Sequence, residues 1–266
     1  MKLLALEASA NTVSIAVQNH SQRLMREMPA SSKTSAWLIP TLLKLLAEAE
    51  LELSALDAIL YGQGPGAFTG LRTVCSVVQG LTLGQNNQPA VYGVDTLQEL
   101  AQASLNSVLE HSTHQKNTQQ TNLSGSASKS SSARILCVLD ARMDQWYVGA
   151  YEYLENQWRV TQSPALCAPA SLEAPTEWAG SNFMLSCNLE RSSALSLTSP
   201  SLEERVTHFV CTSPHALLCL DLAPWLIASS GARADRTSPE FAKPIYIRDR
   251  VALTTLEREL AKVGEL

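Results

Sequence analysis

The sequence predicts an α/β protein made of two halves, each of which starts with an antiparallel β-meander. Three short strand patterns follow one another at the amino terminus, and a second hairpin pattern begins after a polar stretch near residue 133. From the amino terminus to about residue 103, the predicted elements run in the order β-β-β-α-β-α-β-α. This order is typical of a mixed sheet covered by helices.

The first elements are predicted from the spacing of apolar residues. Short runs rich in apolar and β-branched side chains predict strands at 3–8, 12–18 and 23–28, separated by turns. Leucines at helical spacing then predict a helix over 35–51. Pro40 is expected in the first turn of that helix, where proline is tolerated.

Two further strand–helix units are predicted next. A strand at 58–61 leads through a glycine-rich loop into a helix over 74–83. A strand at 88–94 precedes a helix over 96–103, and Asp95 is expected to cap it because aspartate accepts hydrogen bonds from free helical amides.

The second half follows the same plan. A strand at 134–140, a turn and a strand at 145–153 predict a hairpin, which 158–160 extends. A helix is predicted over 214–226. The polar stretch 111–133 has almost no apolar residues, so it is predicted to be a disordered insert, and His111 and His114 beside it are interpreted as solvated side chains.

These patterns divide the chain into four parts. They are an amino-terminal lobe (1–104) joined by the helix near 213–231, a disordered polar insert (105–133), a second lobe (134–212) and a carboxyl-terminal tail (232–266).

Composition and charge restrict the function. The net charge is −5, which argues against autonomous nucleic-acid binding but allows work on RNA inside a complex. The six cysteines show no C-x-x-C spacing, so reduced thiols are expected and no metal site is predicted. No apolar run is long enough to span a bilayer, so the protein is expected to be soluble and cytoplasmic.

The glycine-rich loop GQGPGAFTGLR at 62–72 raises the question of nucleotide binding. It lacks the Lys-Ser/Thr pair of a P-loop and the third glycine of a dinucleotide fingerprint. A phosphate contact and a purely structural turn both remain open, and the residues favour the turn. We expect Phe68 to lie beneath the loop and Thr69 to cap the next helix. The structural loop residues are Gly64, Pro65, Gly66, Phe68 and Gly70.

Five segments of the chain resemble one family. GPGAFTGLR at 64–72 resembles the G-P-G-S-F-T-G-L-R motif of the TsaB (YeaZ) family, with Ala67 in place of serine. Four more segments agree in order: LALEAS at 4–9, GVDTL at 93–97, DARMDQWY at 140–147 and PIYIR at 244–248. The likeness covers about residues 1–103, 134–153 and 213–251.

This resemblance implies a two-lobed fold of the actin/Hsp70/sugar-kinase class and a non-catalytic subunit. Such a subunit would bind TsaD, which transfers threonylcarbamoyl to the adenosine beside the anticodon of tRNAs that read A-starting codons. TsaE, an ATPase, would join the complex. The subunit would contact tRNA only as part of that complex. ATP or ADP and metal would lie on the partner subunits, with no intrinsic cofactor. A homodimer is expected for the isolated chain.

The resemblance also locates the expected partner interface on the first two helices, over 34–49 and 69–83. Its candidate residues are Thr34, Trp37, Leu38, Thr41, Leu45, Thr69, Arg72, Thr73, Ser76, Val77 and Gly80. Thr34 stands where the family often has histidine, and Trp37 is interpreted either as core or as an interface anchor.

Two other functions stay open. A nucleotide-dependent kinase or ATPase of the same fold would use Glu7 and Asp140 as catalytic acids. In the structural interpretation, both are strand-end carboxylates that accept hydrogen bonds from turn amides. Arg142 is expected to brace the second hairpin. A metallopeptidase is the remaining alternative, but the two histidines of the TsaD metal site correspond to Thr96 and Leu100 here, and leucine has no donor atom.

Overall fold

The computed structural model describes residues 1–31, 33–83, 89–118, 132–196, 198–230 and 242–248. The chain forms two five-stranded mixed sheets with helices packed on them. The predicted α/β class with two meander-first halves is therefore confirmed.

The first sheet has the strand order β3-β2-β1-β4-β5. Its strands are β1 (Lys2–Glu7), β2 (Thr12–Asn19), β3 (Gln22–Pro29), β4 (Ala58–Gly64) and β5 (Ala90–Asp95). β1, β2 and β3 pair antiparallel, as the meander prediction requires, while β4 pairs parallel with both β1 and β5.

The second sheet repeats this plan in the order β10-β9-β6-β7-β8. Its strands are β6 (Ala133–Asp140), β7 (Trp146–Leu154), β8 (Gln157–Cys167), β9 (Phe183–Cys187) and β10 (Val206–Cys211). β6, β7 and β8 form the antiparallel meander, and β9 and β10 add to it in parallel. The two halves thus share one topology although no strong repeat is visible in the sequence.

Six α-helices complete the described fold. They are α1 (Thr34–Glu48), α2 (Phe68–Thr82), α3 (Thr96–Thr118), α4 (Arg191–Leu195), α5 (Pro200–Glu203) and α6 (Ala216–Ser230). No described helix has both the length and the apolar character needed to cross a membrane.

Alternation along β1 explains how helices cover both faces of the first sheet. Leu4 and Leu6 are buried in a cluster with α1 and α2. Leu3 and Ala5 face the other way, into a cluster that contains α3, α6 and residues of the second sheet. Because successive side chains of a strand point to opposite faces, one short apolar strand organises both cores.

Several helix boundaries differ from the predictions. α1 begins at Thr34, so Pro40 lies inside the helix rather than in its first turn. Pro40 and Ala36 are both exposed, which leaves the unpaired Ala36 carbonyl accessible to water. α2 begins at Phe68, within the glycine-rich segment, and α6 continues to Ser230.

α3 is much longer than predicted. Its backbone is helical to Thr118, so residues 105–118 of the predicted disordered insert, including those around His111 and His114, belong to a helix. Residues 119–131 lie outside the described residues. The predicted cap is confirmed, because Asp95 Oδ1 accepts a hydrogen bond from the Leu97 amide at 2.9 Å.

Residues 242–248, hereafter the strap, are the described part of the predicted carboxyl-terminal tail. The Ile245 amide donates to the Gln63 carbonyl at 2.7 Å, on the first lobe. Arg248 Nη2 donates to Gln145 Oε1 at 2.7 Å, beside the turn of the second-sheet hairpin. The strap therefore contacts both halves. All six cysteines are free, as the spacing predicts.

Candidate functional site

A solvent-open groove runs between α1 and α2. Its volume is about 770 Å³. Ile39 of α1 and Phe68 of α2, both 37% exposed, give the groove apolar walls that face solvent. The α1–α2 groove is lined by Ser35, Ile39, Phe68, Thr69, Arg72, Thr73, Ser76, Val77, Gly80 and Leu81.

An arginine is held rigidly at the start of α2. The guanidinium carbon of Arg72 lies 3.9 Å from the centroid of the Phe68 ring, which itself packs on Tyr246 of the strap at 5.1 Å between centroids. Arg72 Nε donates to the Tyr246 hydroxyl at 2.8 Å. The groove therefore presents a positive charge that the strap has already oriented.

The structure brings six predicted interface residues together in this groove: Thr69, Arg72, Thr73, Ser76, Val77 and Gly80. Thr41 and Trp37 are half-buried on α1, and Trp37 packs against the core between the sheet and its helices. Trp37 thus contacts the core while part of it stays accessible.

Three predicted interface residues are placed elsewhere. Leu38 and Leu45 are 0% and 1% exposed and belong to the cluster beneath the first sheet, and Thr34 is also buried. Their predicted surface role is wrong because helical spacing turns them toward the sheet, on the same side of α1 as Leu42 and Leu46.

Among the described residues, nothing packs against Gly80. A Cβ placed on it would meet nothing within 4 Å, although it lies inside α2. Glycine inside a helix costs about 1 kcal/mol relative to alanine. The absent side chain leaves the helix backbone open to a close approach from outside.

The glycine-rich loop is packed against the chain itself. A Cβ on Gly66 would lie 2.3 Å from the Ser9 carbonyl oxygen, and one on Gly70 would lie 1.8 Å from that of Ala8. Gly64 has a φ of +109°, in the region that favours glycine. The glycines allow the turn after β1 to lie directly on the start of α2.

Two predictions about this loop are wrong. Phe68 does not lie beneath it but is exposed and stacked on Arg72. Thr69 does not cap α2, because Ala67 is the N-cap residue and makes no side-chain capping bond. The loop ends one turn earlier than the glycines suggest, so Thr69 and Gly70 are already helical.

The cleft between the two halves is small. It encloses about 110 Å³, compared with roughly 300–1,000 Å³ for typical small-molecule sites. Asp140 accepts a hydrogen bond from the Arg142 amide at 2.8 Å, and Arg142 Nη2 donates to Asn11 Oδ1 at 2.9 Å. Asp140 thus binds a turn amide, and Arg142 reaches from the hairpin to the first lobe.

The cleft is also bridged by an aspartate. The Tyr151 hydroxyl donates to Asp95 Oδ2 at 2.5 Å, which joins β7 to the end of β5. Desolvation raises the pKa of Asp95 to about 6, although this hydrogen bond and the amides of the α3 start oppose the shift.

A buried acidic cluster lies behind the cleft and was missed by the sequence analysis. Glu7 accepts a hydrogen bond from the Ser9 amide, as the strand-end interpretation requires. Glu7, Glu99 and Cys219 each offer one donor atom within 4.8 Å of the other two. Burial and the nearby Glu7 carboxylate raise the pKa of the Glu99 carboxyl well above its usual range.

The positions that correspond to the TsaD histidines offer no metal ligand pair. Thr96 and Leu100 are both fully buried in the first turns of α3. Leu100 packs in the apolar core that α3 shares with both sheets. A hydrocarbon side chain cannot coordinate a metal ion, so the metallopeptidase alternative has no support at this helix.

Comparisons with known proteins agree with this architecture. The family model described as "TsaD: tRNA N6-adenosine threonylcarbamoyltransferase" matches residues 28–112, which contain α1, α2 and the groove between them. The tRNA threonylcarbamoyladenosine biosynthesis protein TsaB of Escherichia coli (strain K12) is 25% identical over 260 residues, 95% of this chain and 96% of that protein. TsaB of Haemophilus influenzae is 26% identical over 177 residues, 64% of this chain and 65% of that protein.

A solved structure extends the likeness to the whole fold. YeaZ from Pseudomonas aeruginosa superposes with a TM-score of 0.71 at 28% identity, covering 92% of this chain and 99% of that one. The motifs, the curated relatives and the solved structure agree, and the chain is similar over nearly its whole length to proteins named TsaB and YeaZ.

Proposed function

We propose that the chain takes part in tRNA threonylcarbamoyladenosine biosynthesis as a non-catalytic subunit that binds the TsaD transferase. The names of its relatives support the process. The observation that carries the subunit role is the α1–α2 groove, an open apolar surface whose walls contain a helical glycine that no described residue packs against.

The chemistry of the groove supports a helical protein partner. Exposed apolar side chains beside small residues let two helices pack closely, and a preoriented arginine adds a directional polar contact. The TsaD family model matches the segment that builds the groove, so the partner has a similar helix pair. Two similar helix pairs can pack face to face about an approximate two-fold axis, and a homodimer of this chain would use the same surface.

The remaining site residues support a non-catalytic role. The cleft between the halves encloses about 110 Å³, and Asp140 and Arg142 are bonded to neighbouring turns. The loop glycines are packed on Ala8 and Ser9. These features favour the subunit over the kinase or ATPase alternative. ATP or ADP and metal would lie on the partners, TsaE would join the complex, and tRNA would reach the chain only through it.

The test uses two matched serine-to-arginine variants. Ser76 is exposed in the groove on α2, and Ser193 is exposed on α4 of the second half. We expect Ser76→Arg to weaken binding to TsaD from the same organism about 100-fold, roughly 2.8 kcal/mol, because a long charged side chain fills the space a partner helix needs. Ser193→Arg should bind like the unchanged chain.

Activity is measured as threonylcarbamoylation of tRNA by the reconstituted complex. Modification should require this chain, fall with Ser76→Arg and recover at higher concentrations of that variant. The chain alone should modify nothing and hydrolyse no ATP. Equal binding by both arginine variants would remove the groove from the proposal, and ATP turnover by the isolated chain would revive the kinase alternative.

A further inference from the structure

Three potential ligands meet where α3 and α6 pack on β1. Glu7 ends β1, Glu99 lies in the first turn of α3 and Cys219 lies on α6. Their exposed fractions are 1%, 0% and 0%, so the cluster is closed to solvent. One donor atom of each lies within 4.8 Å of the other two.

Three carboxylate oxygens of this cluster have no hydrogen-bond partner outside it. They are both oxygens of Glu99 and the Oε2 atom of Glu7, all of which are buried. Within the described part of the chain, neither residue takes part in an ion pair. Two adjacent buried carboxylates with no positive partner are strongly unfavourable, so the site requires a species that neutralises them.

We propose that Glu7, Glu99 and Cys219 bind a structural zinc ion. Zinc accepts thiolate and carboxylate ligands together and prefers four of them in a closed site. One oxygen of Glu7, one oxygen of Glu99 and the Cys219 sulfur supply three donor atoms that lie together, and the second oxygen of Glu99, also buried, would complete the four. Magnesium and calcium fit less well because they require six or more oxygen ligands and do not favour sulfur.

The surroundings of Glu7 orient it toward this site. The Ser9 amide donates to Glu7 Oε1, which leaves Oε2 for the ion. Such outer contacts fix the orientation of metal ligands. A Cβ on Gly62 of β4 would lie 1.5 Å from Glu7 Oε2, so the glycine provides the space that this carboxylate occupies.

A zinc ion here would stabilise the fold rather than perform chemistry. The ligands come from a strand and two helices of different sequence regions, and they leave no exposed position for a substrate. Because the site is closed, the ion must enter as the chain folds, and its binding energy then adds to the stability of the folded protein.

The experiment measures the metal content of the full chain after it is refolded in the presence of zinc. The unchanged chain is compared with two variants that each lack one cysteine thiol. Cys219→Ala removes a ligand, and Cys75→Ala removes an equally buried thiol on α2 as the matched control. We expect an equimolar amount of zinc in the unchanged chain and in Cys75→Ala, and loss of zinc in Cys219→Ala. With cobalt in place of zinc, a thiolate-to-metal charge-transfer band should appear in the same two proteins and be absent from Cys219→Ala.

Glu99→Gln separates zinc from a proton shared between the two carboxyl groups. If zinc is bound, this variant lowers both the metal content and the melting temperature, because a carboxylate ligand becomes a neutral amide. If the refolded chain contains no zinc and shows no cobalt–thiolate band, the proposal is overturned. A higher melting temperature for Glu99→Gln would then assign the cluster to a proton shared between the two carboxyl groups.

Discussion

Substitution of Gly70 by alanine tests whether the glycine-rich loop is structural. Its new Cβ would lie 1.8 Å from the Ala8 carbonyl oxygen, whereas ordinary contacts begin at 3.4 Å. The obstacle is backbone, so α2 must move away from the turn after β1. Overpacking of this kind usually lowers the free energy of unfolding by about 1–3 kcal/mol, and we use the upper end because the obstacle is backbone. The higher helix propensity of alanine raises the free energy of unfolding by about 1 kcal/mol.

The net expectation is a loss of about 2 kcal/mol, or roughly 4–8 °C in melting temperature for a chain of this size. Gly80→Ala is the matched control on the same helix, because its Cβ would meet nothing within 4 Å. It should gain about 1 kcal/mol, or roughly 2–4 °C, from propensity alone.

Urea and thermal unfolding of dilute protein measure both changes, since dilution limits self-association through the groove. Opposite signs for the two alanine variants would support the packed loop. If Gly70→Ala raised the melting temperature as Gly80→Ala does, the loop would not be packed on Ala8, and the phosphate-binding interpretation would return.

Two further predictions concern buried polar groups. Because the pKa of Asp95 is raised from 3.8 to about 6, the folded chain keeps this proton to a higher pH than the unfolded chain, and the contribution of Asp95 to stability should fall by up to about 3 kcal/mol as pH rises from about 4 to about 6. The raised pKa of Glu99 gives a slope of the same sign, so Asp95→Asn should make the slope in urea unfolding shallower over this range without abolishing it. Parallel profiles for the two proteins would contradict the assignment. Trp178→Phe removes the 2.9 Å hydrogen bond from the indole to Glu152 inside the second sheet's core, and it should lower the free energy of unfolding in urea by about 2–3 kcal/mol. Trp225→Phe, at a half-buried position of α6, is the control and should lose less. Equal losses would show that the hydrogen bond contributes little.

The strands could be predicted because alternation is a local property. Residues 12–18 alternate in sequence, and β2 forms where the pattern indicates. Val13, Ile15 and Val17 pack in the cluster with α1 and α2, while Ala16 packs in the cluster on the opposite face. Helix ends were less predictable. α2 starts within the glycine-rich segment because Gly70 allows contact with Ala8, a reason that depends on a neighbour distant in sequence.

The candidate site was only partly predictable for the same reason. The family motifs located α1 and α2, but which side of α1 is exposed depends on the sheet beneath it, so Leu38 and Leu45 were assigned to the wrong side. No spacing rule connects Glu7, Glu99 and Cys219, which only the packing of three elements brings together. A charged residue at an otherwise apolar position of α3, Glu99, was the one available signal.

The strap has a mechanical consequence. Two-lobed proteins of this class that work on nucleotides need a hinge, because closing and opening the cleft is part of turnover. Here the strap bonds to Gln63 on one lobe and to Gln145 on the other, so a swing that separates the lobes must break at least one of these contacts. The strap also orients Arg72 through Tyr246, beside the α1–α2 groove. A shift of the second lobe would therefore reach the α1–α2 groove through the strap, although the two lie on different parts of the molecule.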